Sequence, residues 1–234
     1  MTLRRFALFA SLSALTLACN EVSEEGVGGG SIVETACTDV NGSGAPGCTG
    51  SDTLCVWQGV RTEGGPDCPT CPGSDGTFWA LEDVQPQSCG TGQIYGMEAF
   101  SGRVVVLSLL RSTCSFCQSQ IQKMEEMALD LQASGIDVQF VVVNEAGPTF
   151  EANIEEFTSR STMPIFQDAE ALNIWRQLGG TKDDVYIYGS NGELITFQAI
   201  PDEGINLTLA QEEGYANFRQ LIVDAVEVDA GRAE

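Results

Sequence analysis

The residues best suited to chemistry are the two cysteines of the segment Cys114-Ser115-Phe116-Cys117. Two thiols at this spacing can cycle between a dithiol and a disulfide, one as the attacking thiolate and the other as the thiol that resolves the intermediate. The chain contains no histidine, so His-dependent triads, histidine metal sites and histidine proton shuttles are excluded. The pair therefore predicts thiol redox chemistry, with a static structural disulfide as the alternative.

A buried strand and an amphipathic helix must position this pair. Val104 to Leu110 is apolar except for Ser108, which is the pattern of a strand covered on both faces. Residues 114–133 follow with large apolar side chains at helical spacing, and Gly135 ends the run. These side chains are Phe116, Ile121, Met124, Met127 and Leu131. The pair thus lies where a strand ends and a helix begins.

This junction predicts a different role for each cysteine. The positive end of the helix dipole and its unpaired NH groups stabilise a thiolate at Cys114, which makes that residue the nucleophile. We expect Ser112 or Thr113 to serve as the N-cap and Arg111 to add positive charge. Cys117 lies one turn later on the same face and is predicted to be the less exposed, resolving thiol.

The pattern of residues 76–230 is that of one α/β domain. The predicted elements after the first helix are the strand Ile136 to Val143, helices at 149–160 and Ala169 to Leu178, strands Val185 to Tyr188 and Leu194 to Phe197 around Ser190-Asn191-Gly192, and a helix near 209–227. Residues 78–100 are predicted to add an N-terminal hairpin or extension. This order predicts a thioredoxin-like fold, with a central mixed sheet flanked by helices and the helix from Ala169 as an addition.

A cysteine-rich segment, residues 32–75, precedes this domain. It has few apolar residues and many of the types that favour turns, so no ordinary core is expected there. Together with one later cysteine, an even number of thiols at irregular spacing predicts three disulfides; these are Cys37, Cys48, Cys55, Cys68, Cys71 and Cys89. The spacing of Cys68 and Cys71 also suits a zinc knuckle, but no second close pair completes a site, and no metal is predicted.

The first residues, 1–18, are typical of an export signal. Arg4 and Arg5 precede an apolar stretch that is too short to span a membrane, and Cys19 follows in a lipobox-like context. We expect an exported protein of the periplasm or cell envelope, lipid-anchored through Cys19 or else secreted, with residues 19–31 as a flexible tether. The formal charge of −22 disfavours binding to nucleic acid or anionic membrane, so contact with a membrane is expected only through the anchor.

Residues 99–201 resemble one particular family, the N-terminal thioredoxin-like domain of selenoprotein P and its bacterial relatives. The resemblance rests on Gly102-Arg103-Val104, Val106, Leu109-Leu110, Val142-Val143-Asn144, Gly147, Pro164, Gln167, Trp175, Leu178, Gly180, Lys182-Asp183-Asp184, Ile187-Tyr188, Gly192 and Pro201. It places Cys114 where that family often carries selenocysteine, so selenium at position 114 of the natural protein is left open. The resemblance implies reduction of peroxides or disulfides, with a thiol electron donor and no other cofactor.

The chain departs from ordinary thioredoxins at two places that bear on this chemistry. The proline expected just before the hairpin strand is replaced by Lys182-Asp183-Asp184, and the buried acid expected six residues before the first cysteine is Ser108. Cys117 therefore needs another base, and Asp183 or Asp184 could supply it, although a carboxylate in a turn is often merely solvated. A binding or selenium-related module with a structural Cys114–Cys117 disulfide is the alternative to an enzyme.

Overall fold

The structure, a computed structural model, describes residues 66–200 and 204–232, and the backbone of two further strands, β1 (Glu34–Asp39) and β2 (Thr53–Gln58). These two strands pair antiparallel in a register that sets Cys37 opposite Cys55. The predicted export signal at 1–18, the tether at 19–31 with Cys19, and Cys48 lie outside the described residues. Within the described part of the chain, no helix is long and apolar enough to cross a membrane.

A mixed sheet of seven strands forms the centre of the domain. Its strands are β3 (Leu81–Asp83), β4 (Ile94–Tyr95), β5 (Val104–Leu110), β6 (Val138–Asn144), β7 (Ile165–Gln167), β8 (Val185–Tyr188) and β9 (Leu194–Gln198), in the order β4-β3-β7-β6-β5-β8-β9. Strands β5, β6 and β7 are parallel, whereas β8 and β9 form an antiparallel hairpin beside β5. The predicted N-terminal hairpin is β3–β4, which extends the sheet through β7.

Five α-helices and a short 3-10 helix at Met97–Phe100 accompany the sheet in the described residues. They are α1 (Ser115–Ala133), α2 (Pro148–Glu151), α3 (Glu155–Thr158), α4 (Ile174–Gln177) and α5 (Glu212–Arg232). The first and last helices agree with the prediction, although α5 is longer than expected. The order of elements is that of the thioredoxin fold, so the predicted fold class is confirmed.

Two predicted helices were wrong in extent. The helix expected at 149–160 is divided into α2 and α3, because the NH groups of Asn153 and Ile154 donate to carbonyls three residues back rather than four. The helix expected from Ala169 is only the single turn α4. There the carboxylate of Asp168 accepts the NH groups of Ala169, Ile174 and Trp175, and it gathers the segment into a loop in place of a first helical turn.

Strand β5 is buried along its whole length, since hydrophobic clusters cover both of its faces. Val104, Val106 and Leu110 pack towards α1 and α5, while Val105, Leu107 and Leu109 pack against an aromatic cluster on the other face. That cluster includes Trp79, Tyr95, Phe100, Phe166, Trp175, Tyr186 and Tyr188. Trp175 is buried and donates its indole NH to the carbonyl of Val143 at 3.1 Å, so it is a core residue. This packing holds the carboxyl end of β5 rigidly beneath the cysteine pair.

Candidate active site

Cys114 is itself the N-cap residue of α1. Its backbone is extended, with φ −93° and ψ 117°, and its carbonyl accepts the NH of Gln118 at 3.0 Å. The prediction that Ser112 or Thr113 caps the helix was wrong. Ser112 is buried, its NH donates to Asn144 and its hydroxyl to the carbonyl of Phe150, whereas Thr113 is exposed. Cys114 therefore occupies the N-cap position, although its side chain accepts no cap hydrogen bond.

The surroundings of Cys114 favour its thiolate. Partial burial opposes ionisation, but the backbone NH and the thiol of Cys117, the charge of Lys182 and the backbone NH of Phe116 together lower the pKa of Cys114. Phe116 and Cys117 are the second and third residues of α1, whose NH groups an N-cap acceptor satisfies. These NH groups favour the thiolate at the start of the helix, and Cys114 is half-buried, so a substrate can still reach it.

Cys117 lies in a very different environment. Its side chain is fully buried in the core beneath α1, and its thiol donates to Oδ1 of Asp183 at 3.0 Å. Burial raises the pKa of Cys117 far above its ordinary value; a backbone hydrogen bond from Arg111 opposes this, and the contact with Asp183 adds to it. Cys117 is therefore a thiol that must lose its proton to a neighbour before it can react.

Asp183 comes from the loop between α4 and β8. It is buried, and it adopts a left-handed backbone conformation with φ 77°. Its NH donates to the carbonyl of Leu109 at 2.7 Å, and the NH of Leu109 donates to the carbonyl of Asp184 at 3.0 Å. These two bonds fasten the loop to the end of β5, which aims the carboxylate of Asp183 at Cys117.

Lys182 connects Asp183 with the cysteine segment. Its ammonium forms an ion pair with Oδ2 of Asp183 and lies 5.6 Å from the ring centroid of Phe116. Burial tends to lower the pKa of Lys182, but the hydrogen bond to Asp183 and the charges of Cys117, Asp183 and Cys114 raise it. Lys182 thus remains a cation that pairs with the carboxylate of Asp183 and stabilises the thiolate of Cys114.

The neighbouring Asp184 does not contact the cysteines. Its carboxylate accepts the NH of Thr181 at 2.7 Å and the NH of Ile200 at 3.3 Å. Burial raises the pKa of Asp184, and these hydrogen bonds oppose the rise. Of the two acids that the sequence offered as a base, the structure places Asp183 at the pair and gives Asp184 the role of bracing the loop.

Arg111 has a different principal partner from the one expected. Its guanidinium forms an ion pair with Glu145 and lies 5.1 Å from the ring centroid of Phe150. The hydrogen bond to Glu145 is the largest cause of the raised pKa of Arg111, and the charges of Cys117 and Cys114 contribute less. Lys182, rather than Arg111, is the cation whose charge helps to lower the pKa of Cys114.

Ser108 occupies the position where an acid was expected. Its side chain is buried in β5, and its hydroxyl has no hydrogen-bond partner. The acid is supplied from the facing loop by Asp183 instead. The sequence signal for this was the Lys182-Asp183-Asp184 run in place of proline, but nothing in the sequence showed which aspartate contacts Cys117.

Two of the upstream cysteines are joined within the described residues. Cys68 and Cys71 form a disulfide, and Cys89 is also disulfide-bonded. The pairing of Cys37, Cys48 and Cys55 stays a prediction. Where the structure describes side chains, no group of three Cys, Asp or Glu residues could hold a metal ion.

The family model for the N-terminal region of selenoprotein P matches residues 79–210, more than half of the chain and all of the site described above. The chain belongs to the selenoprotein P N-terminal family. It is 24% identical to selenoprotein P of Homo sapiens over 163 residues, which cover 68% of this chain and 40% of the human protein. It is 30% identical to selenoprotein Pb of Danio rerio over 109 residues, which cover 45% of this chain and 41% of that protein.

The chain thus spans about two fifths or less of the curated relatives that it matches. Among solved structures, a crystal structure assigned as a thiol:disulfide interchange protein DsbE from Chlorobium tepidum superposes with a TM-score of 0.51. The two chains are 18% identical, and the match covers 67% of this chain and 98% of the other. This likeness shows the thioredoxin-like fold of this family member.

Proposed function

We propose that this chain is an exported thiol-disulfide oxidoreductase in which Cys114 attacks a peroxide or a disulfide and Cys117 resolves the intermediate. The observation that supports this best is the contact of the buried Cys117 thiol with Asp183 at 3.0 Å, directly beneath a nucleophile at the start of α1. A purely structural disulfide needs no proton acceptor beside its second sulfur, whereas a cycling pair does.

In the first step the thiolate of Cys114 attacks the substrate. With a disulfide, a new S–S bond forms to Cys114, the substrate S–S bond breaks, and one substrate sulfur leaves as a thiolate. With a peroxide, the sulfur takes one oxygen as the O–O bond breaks, so Cys114 becomes a sulfenic acid, and the other oxygen leaves as hydroxide or an alkoxide that takes a proton from water. In both reactions the cap NH groups and Lys182 stabilise the reactive thiolate.

In the second step Cys117 transfers its proton to Asp183 and attacks the sulfur of Cys114. The Cys114–Cys117 disulfide forms, and the second substrate sulfur, or the oxygen of the sulfenic acid as water, leaves. Lys182 holds Asp183 in position through their ion pair. An external thiol donor then reduces the disulfide and is itself oxidised, which completes the cycle.

Selenium at position 114 is compatible with this site. The cap acceptor position stabilises a chalcogen anion, and a selenol ionises more readily than a thiol, so the same NH groups would hold a selenolate at Cys114. The proposal therefore holds with either sulfur or selenium at position 114, and it includes no other cofactor.

We place the protein outside the cytoplasm, in the periplasm or cell envelope or as a secreted protein. The disulfides at Cys68–Cys71 and Cys89 support this, because such bonds persist in oxidising compartments. A lipid on Cys19 would provide the sole membrane contact, and the formal charge of −22 disfavours a nucleic-acid partner.

Alkylation across a series of thiol redox buffers tests the redox role, with mass spectrometry of the peptide that holds both cysteines. A cycling pair opens between about −120 and −270 mV, whereas a structural disulfide opens below about −300 mV. The second result would favour the binding or selenium-related module. The same peptide mass distinguishes sulfur from selenium at position 114.

Trapping distinguishes the two substrate classes. Cys117→Ser should accumulate a mixed disulfide with a protein substrate, or complete one peroxide turnover at Cys114 and stop. Cys114→Ser is the matched control, because it removes the nucleophile and should do neither. If both variants turned over like the wild type, the assigned roles would be wrong.

A further inference from the structure

A second CxxC segment, Cys68-Pro69-Thr70-Cys71, lies on the surface of the domain. Both cysteines are exposed, whereas Pro69 and Thr70 between them are half-buried. The disulfide closes a ring of only four residues, which restricts the unfolded chain less than a long loop would, so it contributes less to stability than a long-range disulfide. Exposed disulfides with little structural role are the ones that exchange readily with external thiols.

The chain just after this ring is firmly fixed. The NH of Gly73 donates to the carbonyl of Leu194 at 2.7 Å, and the NH of Leu194 donates to the carbonyl of Ser74 at 2.8 Å. Ser74 also donates its hydroxyl to the carbonyl of Cys68. The ring therefore projects from an anchor on β9 and is not a free end.

The buried side of the ring touches the loop that carries the base of the site. A β-carbon built on Gly179 would lie 3.2 Å from Cγ of Pro69 and 3.9 Å from Cγ2 of Thr70. Gly179 has a φ of +66°, and Lys182 follows three residues later. Pro69 therefore lies beside Gly179, at the start of the segment that contains the Lys182–Asp183 ion pair.

We propose that Cys68–Cys71 is a second redox-active disulfide, which exchanges with a dithiol reductant from solvent and controls the 179–184 loop through the contact of Pro69 with Gly179. The control of the loop rests on the proposed function of Cys114 and Cys117, because it acts on their base. The exchange at Cys68–Cys71 does not depend on that function.

The exchange is balanced as an ordinary thiol-disulfide reaction. A thiolate of the reductant attacks one sulfur of the ring, a mixed disulfide forms, and the other ring sulfur leaves as a thiolate that takes a proton from water. The second thiol of the reductant then attacks the mixed disulfide. Cys68 and Cys71 are released as thiols, and the reductant, having lost two electrons, becomes a disulfide.

Reduction frees the ring to change shape, and Pro69 then holds Gly179 less firmly. The amides that report this are hydrogen-bonded in the closed loop: Gly179 to Arg176, Gly180 to Trp175, Thr181 to Asp184 and Asp183 to Leu109. Their hydrogen exchange should accelerate when the ring opens, since exchange requires these bonds to break.

The first experiment uses the exported chain with Cys114→Ser and Cys117→Ser, so that the site itself cannot respond. It is titrated with dithiothreitol, and alkylated peptides and hydrogen exchange at 179–184 are read by mass spectrometry. We expect Cys68 and Cys71 to open at about a tenth or less of the dithiothreitol that opens the bridge at Cys89, with faster exchange at 179–184. If the ring opens only together with Cys89, or if exchange at 179–184 is unchanged, the proposal is overturned.

The second experiment separates the contact from the disulfide. Pro69→Ala keeps both cysteines but removes the contact with Gly179, so exchange at 179–184 should be fast whether the ring is oxidised or reduced. A Pro69→Ala protein that still switches with dithiothreitol would overturn the assigned route. Because none of these readouts needs turnover at Cys114, their outcome is distinct from failure of the proposed function.

Discussion

Replacing Asp183 by asparagine should slow the resolving step while leaving the first attack intact. The substitution keeps the size of the side chain and can keep an oxygen 3.0 Å from the thiol of Cys117, but an amide is too weak a base to take its proton. The amide nitrogen then faces Lys182, which loses its ion-pair partner. The substitution therefore removes only the ability of residue 183 to accept a proton and its negative charge.

Two effects of this substitution oppose each other. Loss of a general base typically costs about 10²- to 10⁴-fold in rate, which is about 3 to 5 kcal/mol of barrier. However, the contact with Asp183 also helps to raise the pKa of Cys117, so its loss makes the thiol slightly more acidic. Burial is the larger cause of that raised pKa and persists in the variant. We therefore expect the lower end of the range, about a hundredfold.

A chromogenic aromatic disulfide separates the two steps in one stopped-flow trace. Attack by Cys114 releases the first coloured thiolate, and closure of the Cys114–Cys117 disulfide releases the second. In Asp183→Asn the second phase should slow and should rise with pH by about tenfold per unit, because hydroxide must then remove the proton. The first phase should be as fast as in the wild type or faster, since Lys182 is no longer neutralised.

Asp184→Asn is the matched control. It makes the same change one residue later, at a carboxylate that braces Thr181 and Ile200 and does not contact Cys117. Equal slowing of the second phase in both variants would mean that loop integrity matters and that Asp183 is not the base. A second phase of wild-type speed in Asp183→Asn would refute the reasoning outright.

The remaining predictions concern the nucleophile, the loop and the core. Lys182→Met should raise the pKa of Cys114, so that alkylation of Cys114 slows several-fold at neutral pH and its pH profile shifts to higher pH. An unchanged pH profile would mean that Lys182 does not stabilise the thiolate. Gly180→Ala should lower the free energy of unfolding by about 1 to 3 kcal/mol in urea titrations. The added β-carbon would lie 2.5 Å from Cδ1 of Leu109 and 2.3 Å from the hydroxyl of Tyr186. An unchanged free energy of unfolding would mean that the loop shifts without cost. Phe166→Ala should cost about 3 to 5 kcal/mol by the same measurement, since its ring makes T-shaped contacts with Trp79, Tyr95 and Phe100. A loss below about 1 kcal/mol would show that the cluster collapses around the gap.

The local pattern was enough to predict the elements that carry the pair. An apolar run such as Val104 to Leu110 has few alternatives to a doubly covered strand, and the spacing of apolar residues after it permits only a helix. The fold class followed from these elements and from the motif at their junction, whereas the family was inferred from the resemblance of residues 99–201. The short strand β7 and the single-turn helices α2, α3 and α4 carry too few residues for periodicity to define, so their extent could not be predicted.

The sequence by itself determined which residues are suited to react: a cysteine pair at a strand-helix junction, in a chain without histidine, makes thiols the candidate reactive groups. Only the tertiary structure decided which carboxylate lies beside the cysteine pair. Asp183 and Asp184 are adjacent and identical in type, and the choice between them depends on a left-handed backbone at Asp183 and on two hydrogen bonds to Leu109, which lies more than seventy residues earlier in the chain. Such contacts form only when β5 and the 179–184 loop meet in the folded sheet, and local propensity carries no information about them.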